Sequence, residues 1–310
     1  MNGKQIQVSS LLLAGFATSS ALAVDGFRVS GHVDAQYEWV KDTTNTFVLD
    51  EANVAFERKL GPGEVVLDLA IASERSTTGT SLSVGVSGTS QAYVGAAYEN
   101  GFRWRAGQWQ SPFGAEAVYS NLNRLSEQGL IYASLPSSHV GALVGYDFSD
   151  MLGVQLWLAN RRDSSLMPYA SANPDLGFLL STKVDTVTAS VGGLFGRQNG
   201  ASDWMLDVVL GATLGSVSTQ IETNLKKVGA GTGFGMGLFA GYDLTTTVGV
   251  AGRVEFTKDL SAAGKVVGVA VGPQYKITES LVAKTDYTLT KVLDGGGTGH
   301  AVTIAAVHSF

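Results

Sequence analysis

A five-residue motif occurs three times in the chain, each time between two stretches in which apolar and polar residues alternate. Each copy has an aromatic residue, a charged residue and an apolar residue before a small hydroxyl turn, at Tyr146–Asp150, Tyr242–Thr246 and Tyr275–Glu279. Serine and threonine favour turns because their hydroxyls bond to nearby backbone groups. An alternation of period two on both sides predicts tight antiparallel hairpins. A row of hairpins with tyrosines at one level is typical of a closed membrane barrel, although a soluble β-sandwich also contains hairpins.

The first 23 residues have the features of a secretory signal peptide. A basic residue precedes an apolar run at 11–16, and Ala21-Leu22-Ala23 provides a small-x-small cleavage site. An N-terminal membrane helix is the alternative, but the apolar run is short and two serines interrupt the segment after it. We therefore expect cleavage of residues 1–23, and a single domain over residues 24–310.

Composition excludes several classes of protein. The chain has no cysteine, which excludes disulfides, thiol nucleophiles and thiolate metal sites. It has 21 basic and 27 acidic residues, and removal of Lys4 with the signal peptide leaves a net charge of about −7. An acidic chain without basic runs is a poor nucleic-acid binder. No stretch after residue 23 is apolar for about 18 residues, so entry into a membrane would require a closed barrel.

The alternation predicts an all-β chain with sixteen strands, although the pattern also permits 14 or 18. Most predicted strands have about the length that crosses a bilayer at a tilt. We predict them near 27–40, 46–59, 63–74, 90–99, 102–110, 138–148, 152–162, 175–184, 187–197, 203–214, 216–226, 232–243, 247–257, 265–275, 281–291 and 300–310.

The predicted links alternate between short turns and longer polar connections. The longer ones lie at 75–89, 111–137, 163–174, 198–202, 228–231, 258–264 and 292–299. Short turns on one rim and longer loops on the other are typical of outer-membrane barrels, with the short side periplasmic.

Each strand has one apolar and one polar face. In the first strand, Val33, Tyr37 and Trp39 alternate with His32 and Asp34. Such a pattern suits either a sandwich with its apolar face inside or a barrel with its apolar face toward lipid. The signal peptide, the asymmetry of the turns and the last strand favour the barrel. That strand ends on Phe310, which resembles the terminal aromatic residue that the barrel-assembly machinery recognises.

The segment from Arg103 to Glu116 resembles the beta-barrel porin-2 (OmpL-like) family. In that family an Arg-Ala-Gly strand, here 105–107, runs into a Pro-Phe-Gly-x-Glu loop, here 112–116, and the hairpin at Tyr146–Asp150 follows. Gln108 departs from the family, which often has lysine at this position. The resemblance implies a porin-like transmembrane β-barrel in the bacterial outer membrane, without naming a solute. It also implies that the third surface loop, 111–137, folds into the lumen.

Pro112, Phe113 and Gly114 are predicted to turn this third loop away from the barrel rim. Residues 115–130 have enough Ala, Leu and Glu for a short helical turn, with Val118, Leu122 and Leu125 packing on the inner wall. The alternative is a loop that covers the outside of the barrel. Loops of more than about 12 to 15 residues are uncommon in compact domains and are usually functional.

Charged residues of the predicted inner face would set the selectivity of an aqueous pore. Arg103 and Arg105 alternate with two aromatic residues, which places both guanidinium groups inside. We expect the third loop to present Glu116 to Arg105 across the pore. Further candidate lining residues are Glu74, Arg28, Arg253 and Lys284, each of which is equally an ordinary wall residue in contact with water. The net charge favours weak cation selectivity.

Other function classes have weaker support. His32 with Asp34 on one face is the candidate for a catalytic pair, and no histidine has the spacing of a catalytic set. Glycine-rich runs at 229–237 and 295–299 lack the phosphate-loop and dinucleotide patterns. We expect no enzyme activity, metal or cofactor. A structural or adhesive barrel without an open pore stays an alternative. The partners expected for a porin are outer-membrane lipid, the barrel-assembly machinery, ions and small hydrophilic solutes. Porins of this size are often homotrimers, but no flat apolar surface for a trimer is evident.

Overall fold

The computed structural model describes residues 23–24, 26–75, 82–160, 174–198, 201–228, 231–260 and 264–310. Nearly the whole of the predicted signal peptide, residues 1–22, lies outside these ranges. Within them the chain is all-β, apart from two 3-10 turns at Ser120–Leu122 and Tyr132–Ser134. No helix of the described part is long and apolar enough to cross a membrane.

Sixteen long strands form one antiparallel sheet, and we number them in chain order. They are β1 (Phe27–Val40), β2 (Thr44–Leu60), β3 (Gly63–Arg75), β4 (Leu82–Ala97), β5 (Phe102–Gln110), β6 (Ser138–Ser149), β7 (Leu152–Ala159), β8 (Asp175–Val184), β9 (Val187–Gln198), β10 (Ala201–Leu214), β11 (Val217–Val228), β12 (Gly231–Asp243), β13 (Val248–Lys258), β14 (Lys265–Lys276), β15 (Leu281–Val292) and β16 (Thr298–Ser309). A two-residue segment, Ala23–Val24, also pairs with the start of β1. Every strand pairs with its neighbours in sequence.

The sheet closes on itself because β16 pairs with β1. Their register runs from Ala301 opposite Val40 to Ser309 opposite His32. Beyond it, the backbone N–H groups of Gly31 and Phe310 each donate to the carbonyl of the other residue, at 3.0 Å. The prediction of a closed sixteen-strand barrel is confirmed. The C-terminal residue takes part in the closure, while its role in assembly stays a prediction.

The predicted strand positions agree with the structure except at a few ends. The largest difference is in β4, which begins at Leu82, whereas the sequence predicted a loop until residue 89. This first part of β4 pairs with β3 as far as Arg75 opposite Leu82, across two irregularities in register. Its sequence, Ser-Val-Gly-Val-Ser-Gly, has small residues in place of the polar ones, so the alternation there is weak.

On the rim where longer loops were predicted, the links at 198–202 and 228–231 are only two residues long, because Gln198 pairs with Ala201 and Val228 with Gly231. The connections on the other rim are all short, as predicted. They span residues 61–62, 98–101, 150–151, 185–186, 215–216, 244–247 and 277–280. In three of the two-residue turns the first residue has positive φ, 60° at Gly61, 53° at Asp185 and 59° at Gly215. Two-residue hairpin turns with this conformation match the twist of the flanking strands.

The two faces of the sheet differ in chemistry and in burial. Large apolar side chains such as Ile221, Leu238 and Val254, which are neighbours on β11, β12 and β13, are about half exposed. On the opposite face, polar side chains are nearly fully buried, among them His32, Asp34, Gln36, Asn53, Asp68, Asp207, Glu222, Asn224, Arg253, Glu255, Lys284, Asp286 and Thr303. In a closed barrel the more buried face is the inner one. The apolar face therefore points outward, as in a membrane barrel.

We expect Leu238→Arg to destabilise the barrel by about 2–4 kcal/mol, because it places a charge in the middle of the apolar outer face. The matched control is Leu244→Arg in the exposed turn at the end of β12. There the cost should fall to about 0–1 kcal/mol. The free energy of unfolding in lipid vesicles measures both. Equal costs at the two positions would contradict the outward orientation of Leu238.

Candidate functional site

The longest connection between strands joins β5 to β6, and we call residues 111–137 loop L3. Its two ends meet where the backbone N–H of Ser111 donates to the carbonyl of Ser137 at 2.9 Å. The predicted helical turn within residues 115–130 is only the 3-10 turn at Ser120–Leu122. L3 is therefore a long segment with almost no regular secondary structure of its own.

Five buried or partly buried carboxylates of the inner face accept hydrogen bonds from backbone N–H groups of L3. These bonds run from Gly114 to Asp207 (3.0 Å), from Ala115 to Glu222 (3.0 Å), from Ser120 to Glu51 (2.8 Å), from Glu127 to Asp286 (3.1 Å), and from Leu130 and Ile131 to Glu255 (3.0 Å each). Buried N–H groups need acceptors, and charged acceptors form the stronger hydrogen bonds. Because the carboxylates belong to β2, β10, β11, β13 and β15, L3 is held from several sides.

Arg253 on β13 binds L3 through both charge and hydrogen bonding. Its guanidinium contacts the carboxylate of Glu116, donates to the carbonyl of Glu127 at 2.8 Å, and lies 2.9 Å from Oε2 of Glu255. All three charged side chains are almost fully buried. Burial raises the pKa of Glu116, and the charge of Arg253 opposes that shift. A buried cation between two carboxylates thus ties L3 to the wall.

Two lysines and one arginine add further contacts to L3. Nζ of Lys284 donates to the carbonyls of Ser120 (2.8 Å) and Asn123 (2.6 Å), and Nζ of Lys226 donates to that of Ser134 (3.0 Å). Arg124 of L3 forms a bidentate pair with Asp243, with distances of 2.7 and 3.1 Å. Asp243 ends β12 at the rim of the short turns. L3 therefore reaches from the rim where it starts to the opposite rim.

Glycines on the inner face make room for apolar side chains of L3. Ile131 is fully buried, and its atoms lie 3.1 Å from where a Cβ would stand on Gly235 or Gly237 of β12. Leu130 lies 2.9 Å from the corresponding position on Gly268 of β14. Larger residues at these places would require L3 to move.

Of the apolar L3 residues predicted to pack on the wall, Leu125 does so. It is buried with Ala251 and Ala270 of β13 and β14. Leu122 is 66% exposed, so the prediction was wrong for that residue. Val118 is partly buried.

The predicted turn at Pro112, Phe113 and Gly114 leads into a cluster of aromatic side chains. Phe113 is buried, and its ring centroid lies 5.6 Å from that of Trp157 and 6.0 Å from that of His139. Gly114 has φ 94°, a conformation that favours glycine. The cluster fixes the start of L3 against β6 and β7.

The two predicted arginines of β5 have partners other than L3. Arg103 pairs with Asp147 on β6, while Nε of Arg105 lies 3.4 Å from Oε1 of Glu64 on β3. The guanidinium of Arg105 also lies over the ring of Tyr93, 4.8 Å from its centroid. The predicted pairing of Glu116 with Arg105 was therefore wrong, because Arg253 takes that place.

The other predicted lining residues fall in different surroundings. Lys284 and Arg253 are buried against L3, whereas Arg28 is exposed near the short-turn rim. Glu74 lies opposite Ser83 in the ladder of β3 and β4, and its side chain is outside the part that the structure describes. The structure thus brings Arg253, Lys284 and Glu116 together around L3, and it separates them from Arg28.

Acidic side chains of β1 and β2 approach one another beside L3. Nε2 of Gln36 donates to Oδ2 of Asp34 (3.2 Å) and to Oδ2 of Asp50 (3.1 Å). Glu127 of L3 accepts a hydrogen bond from the hydroxyl of Thr303 at 3.1 Å. Burial raises the pKa of Glu127, and this hydrogen bond opposes the shift. The acidic side chains of Asp34, Asp50 and Glu127 therefore lie on the same side of the interior.

The carboxylates that hold the L3 backbone were missed by sequence reasoning. Asp207, Glu222, Glu51 and Asp286 stand on polar faces of their strands, which marks them as inner residues and nothing more. Each contact joins residues far apart in sequence, for example 160 positions between Ser126 and Asp286. No local pattern encodes such a pairing.

The candidate catalytic pair has a different arrangement from the one predicted. Nε2 of His32 lies 3.0 Å from Oε2 of Glu51, and its ring stands edge-on to that of Tyr119 at 5.2 Å. His32 is thus a packed wall residue beside L3. Within the described ranges, no group of three or more His, Cys, Asp or Glu residues could hold a metal ion.

Comparison with protein families finds one that covers nearly the whole chain. The model of the beta-barrel porin-2, OmpL-like family matches residues 6–306. No curated protein sequence matches the chain.

Several solved outer-membrane proteins have a similar fold. Salmonella typhi OmpF, in a complex with daunomycin, has a TM-score of 0.69 at 12% identity, over 94% of this chain and 100% of that chain. The trimer form of in-vitro folded OmpT from Vibrio cholerae has a TM-score of 0.66 at 12% identity, over 92% and 99%. The outer membrane channel DcaP of Acinetobacter baumannii has a TM-score of 0.64 at 13% identity, over 92% and 97%. Identities this low establish a common fold alone.

Proposed function

Because the chain belongs to the beta-barrel porin-2, OmpL-like family and is an integral outer-membrane β-barrel, we propose that it forms a water-filled channel. Ions and small hydrophilic solutes would cross it by passive diffusion. A sixteen-strand barrel is too wide for its wall side chains to fill, which leaves space for water. In this proposal L3 lies inside the barrel and narrows the passage.

The hydrogen bonds of the L3 backbone to inner carboxylates carry this proposal. They attach L3 to five strands spread around the barrel, which suits a constriction and not a loop that covers the outside. Bilayer recordings of the purified protein test it. We expect steps of roughly a nanosiemens in molar salt. The absence of steps would contradict it.

The same extensive anchoring also favours a second candidate, a structural or adhesive barrel without an open pore. The buried aromatic cluster of Trp109, Phe113 and Trp157 fills part of the interior and supports it too. Such a barrel would insert into bilayers without conductance. A barrel enzyme has less support, and lipase and protease assays on the purified protein test it.

We expect Arg105→Ala to shift ion selectivity toward cations. Arg105 is about one-third exposed and compensates the charge of Glu64. Its removal would leave that carboxylate unbalanced in the passage, and charges along a pore set its selectivity. The reversal potential in a salt gradient measures the shift. Arg105→Lys is the control because it keeps the charge, and an equal potential for wild type and Arg105→Ala would remove Arg105 from the passage.

We also propose weak cation selectivity of the wild type, because of the acidic side chains beside L3 and the net charge of the chain.

A homotrimer is also proposed, since the related fold of Vibrio cholerae OmpT has a trimer form. Cross-linking in detergent tests it. Residues 1–23 are proposed to be the cleaved signal peptide, and Phe310 to be the signal for the barrel-assembly machinery.

A further inference from the structure

A cavity of about 310 Å³ lies between L3 and the inner faces of β9 to β13, on the side of the short turns. We call it the L3 cavity. Its wall includes Thr188, Thr213, Ser218, Gln220 and Phe239, and residues 115–116 and 122–125 of L3 line its other side. The volume falls at the lower end of the range for ligand pockets, about 300–1,000 Å³. The cavity has room for a small solute.

One wall of the L3 cavity presents an aromatic ring on an otherwise polar or glycine-lined face. Phe239 projects inward from β12 between Gly237 and Gly241, and its side chain is partly exposed. Its cross-strand neighbours are Gln220 on β11 and Arg253 on β13. An apolar ring that faces a wet passage, beside polar groups, provides a flat surface for the C–H face of a ligand.

The polar groups around that ring are hydroxyls and an amide. Within the described residues, the side chains of Thr188, Thr213, Ser218 and Gln220 make no hydrogen bond to the protein. Two of them converge: Oγ1 of Thr188 lies 2.6 Å, and Cγ of Gln220 3.4 Å, from where a Cβ would stand on Gly211. Their donors and acceptors are available to a ligand.

The charged groups at the L3 cavity are already paired with one another. Arg124 binds Asp243 through two hydrogen bonds, and Glu116 binds Arg253. A charged solute would have to break one of these pairs, whereas an uncharged solute would leave both intact. The polar groups that stay available to a solute are therefore the uncharged ones.

We propose that the L3 cavity binds a neutral polyhydroxylated solute, such as a small saccharide, on its way through the barrel. Phe239 would stack on the ring of the solute, and Thr188, Ser218 and Gln220 would hydrogen-bond its hydroxyls. The proposal rests on the proposed channel function, because it makes the cavity a binding position along the passage.

Isothermal titration calorimetry of the full barrel in detergent tests this with glucose and maltose, against gluconate and glucosamine. We expect saturable binding of the neutral sugars and weaker binding of the charged ones. Phe239→Ala should weaken sugar binding about five- to tenfold, through loss of the stacked ring. Gln155→Ala, on the inner face of β7 away from the cavity, is the matched control and should leave binding unchanged.

Three results would overturn the proposal: no saturable heat with either sugar, equal affinity of wild type and Phe239→Ala, or tighter binding of gluconate. A heat-modifiability gel shows whether each variant is folded. Conductance recordings on the same preparations separate the two proposals. A barrel that conducts without binding sugar would contradict the cavity proposal alone, and one that binds sugar without conducting would contradict the channel.

Discussion

Replacement of residues 112–136 by an Asn-Gly turn should raise the single-channel conductance at least about twofold, because it removes the segment that we propose narrows the lumen. The design uses the hydrogen bond between Ser111 and Ser137, which places the two ends of L3 as in a tight hairpin. Asn-Gly suits such a two-residue turn. Bilayer recordings in molar salt measure the change.

The matched control shortens a connection on the same rim. The N–H of Val292 donates to the carbonyl of Gly297 at 3.2 Å, so residues 293–296 can be replaced by the same turn. This variant should keep the conductance of the wild type. An unchanged conductance in the L3 variant, with a folded barrel, would mean that L3 does not limit the passage.

Arg253→Leu is expected to destabilise the barrel by about 3–5 kcal/mol, because it leaves Glu116 and Glu255 buried without their cation. Arg253→Lys keeps the charge and should cost less, although it loses the planar fork of the guanidinium. Urea unfolding followed by tryptophan fluorescence measures both, since Trp109 and Trp157 lie in the cluster at the start of L3. Equal stability of the two variants would contradict a charge-based role.

The loss of stability in Arg253→Leu should depend on pH. Burial already raises the pKa of Glu116, and removal of the opposing charge of Arg253 raises it further. A carboxyl whose pKa is higher in the folded than in the unfolded state destabilises the fold while it is ionised. The deficit in stability should therefore be larger at neutral pH, where Glu116 is ionised, and shrink as the pH falls and Glu116 becomes protonated. Glu116→Gln in the same background should reduce this dependence.

The strands were predictable because their signal is local. Residues two apart point to the same face of a strand, so alternation reveals both the strand and its faces. The first part of β4 was missed because glycine and serine blur that alternation. The faces of the strands alone also suit a sandwich, and the closed barrel was predicted from the signal peptide, the asymmetry of the turns and the last strand.

The site was predictable only in its parts. Pro112 to Gly114 and the length of the link identified L3, and Arg253, Lys284 and Glu116 were selected as inner charges. The sequence did not predict which charges pair, because Arg105 is closer to Glu116 in sequence than Arg253 is. The structure joins Glu116 to Arg253 across 137 positions.

The sequence alone determined that amphipathic strands alternate with turns, because each of these features depends on neighbouring residues. Only the tertiary structure decided what L3 touches. L3 has almost no regular secondary structure, so its path depends on carboxylates and glycines from strands distributed around the whole barrel. These come together only when β16 meets β1, and no segment of the chain contains that information by itself.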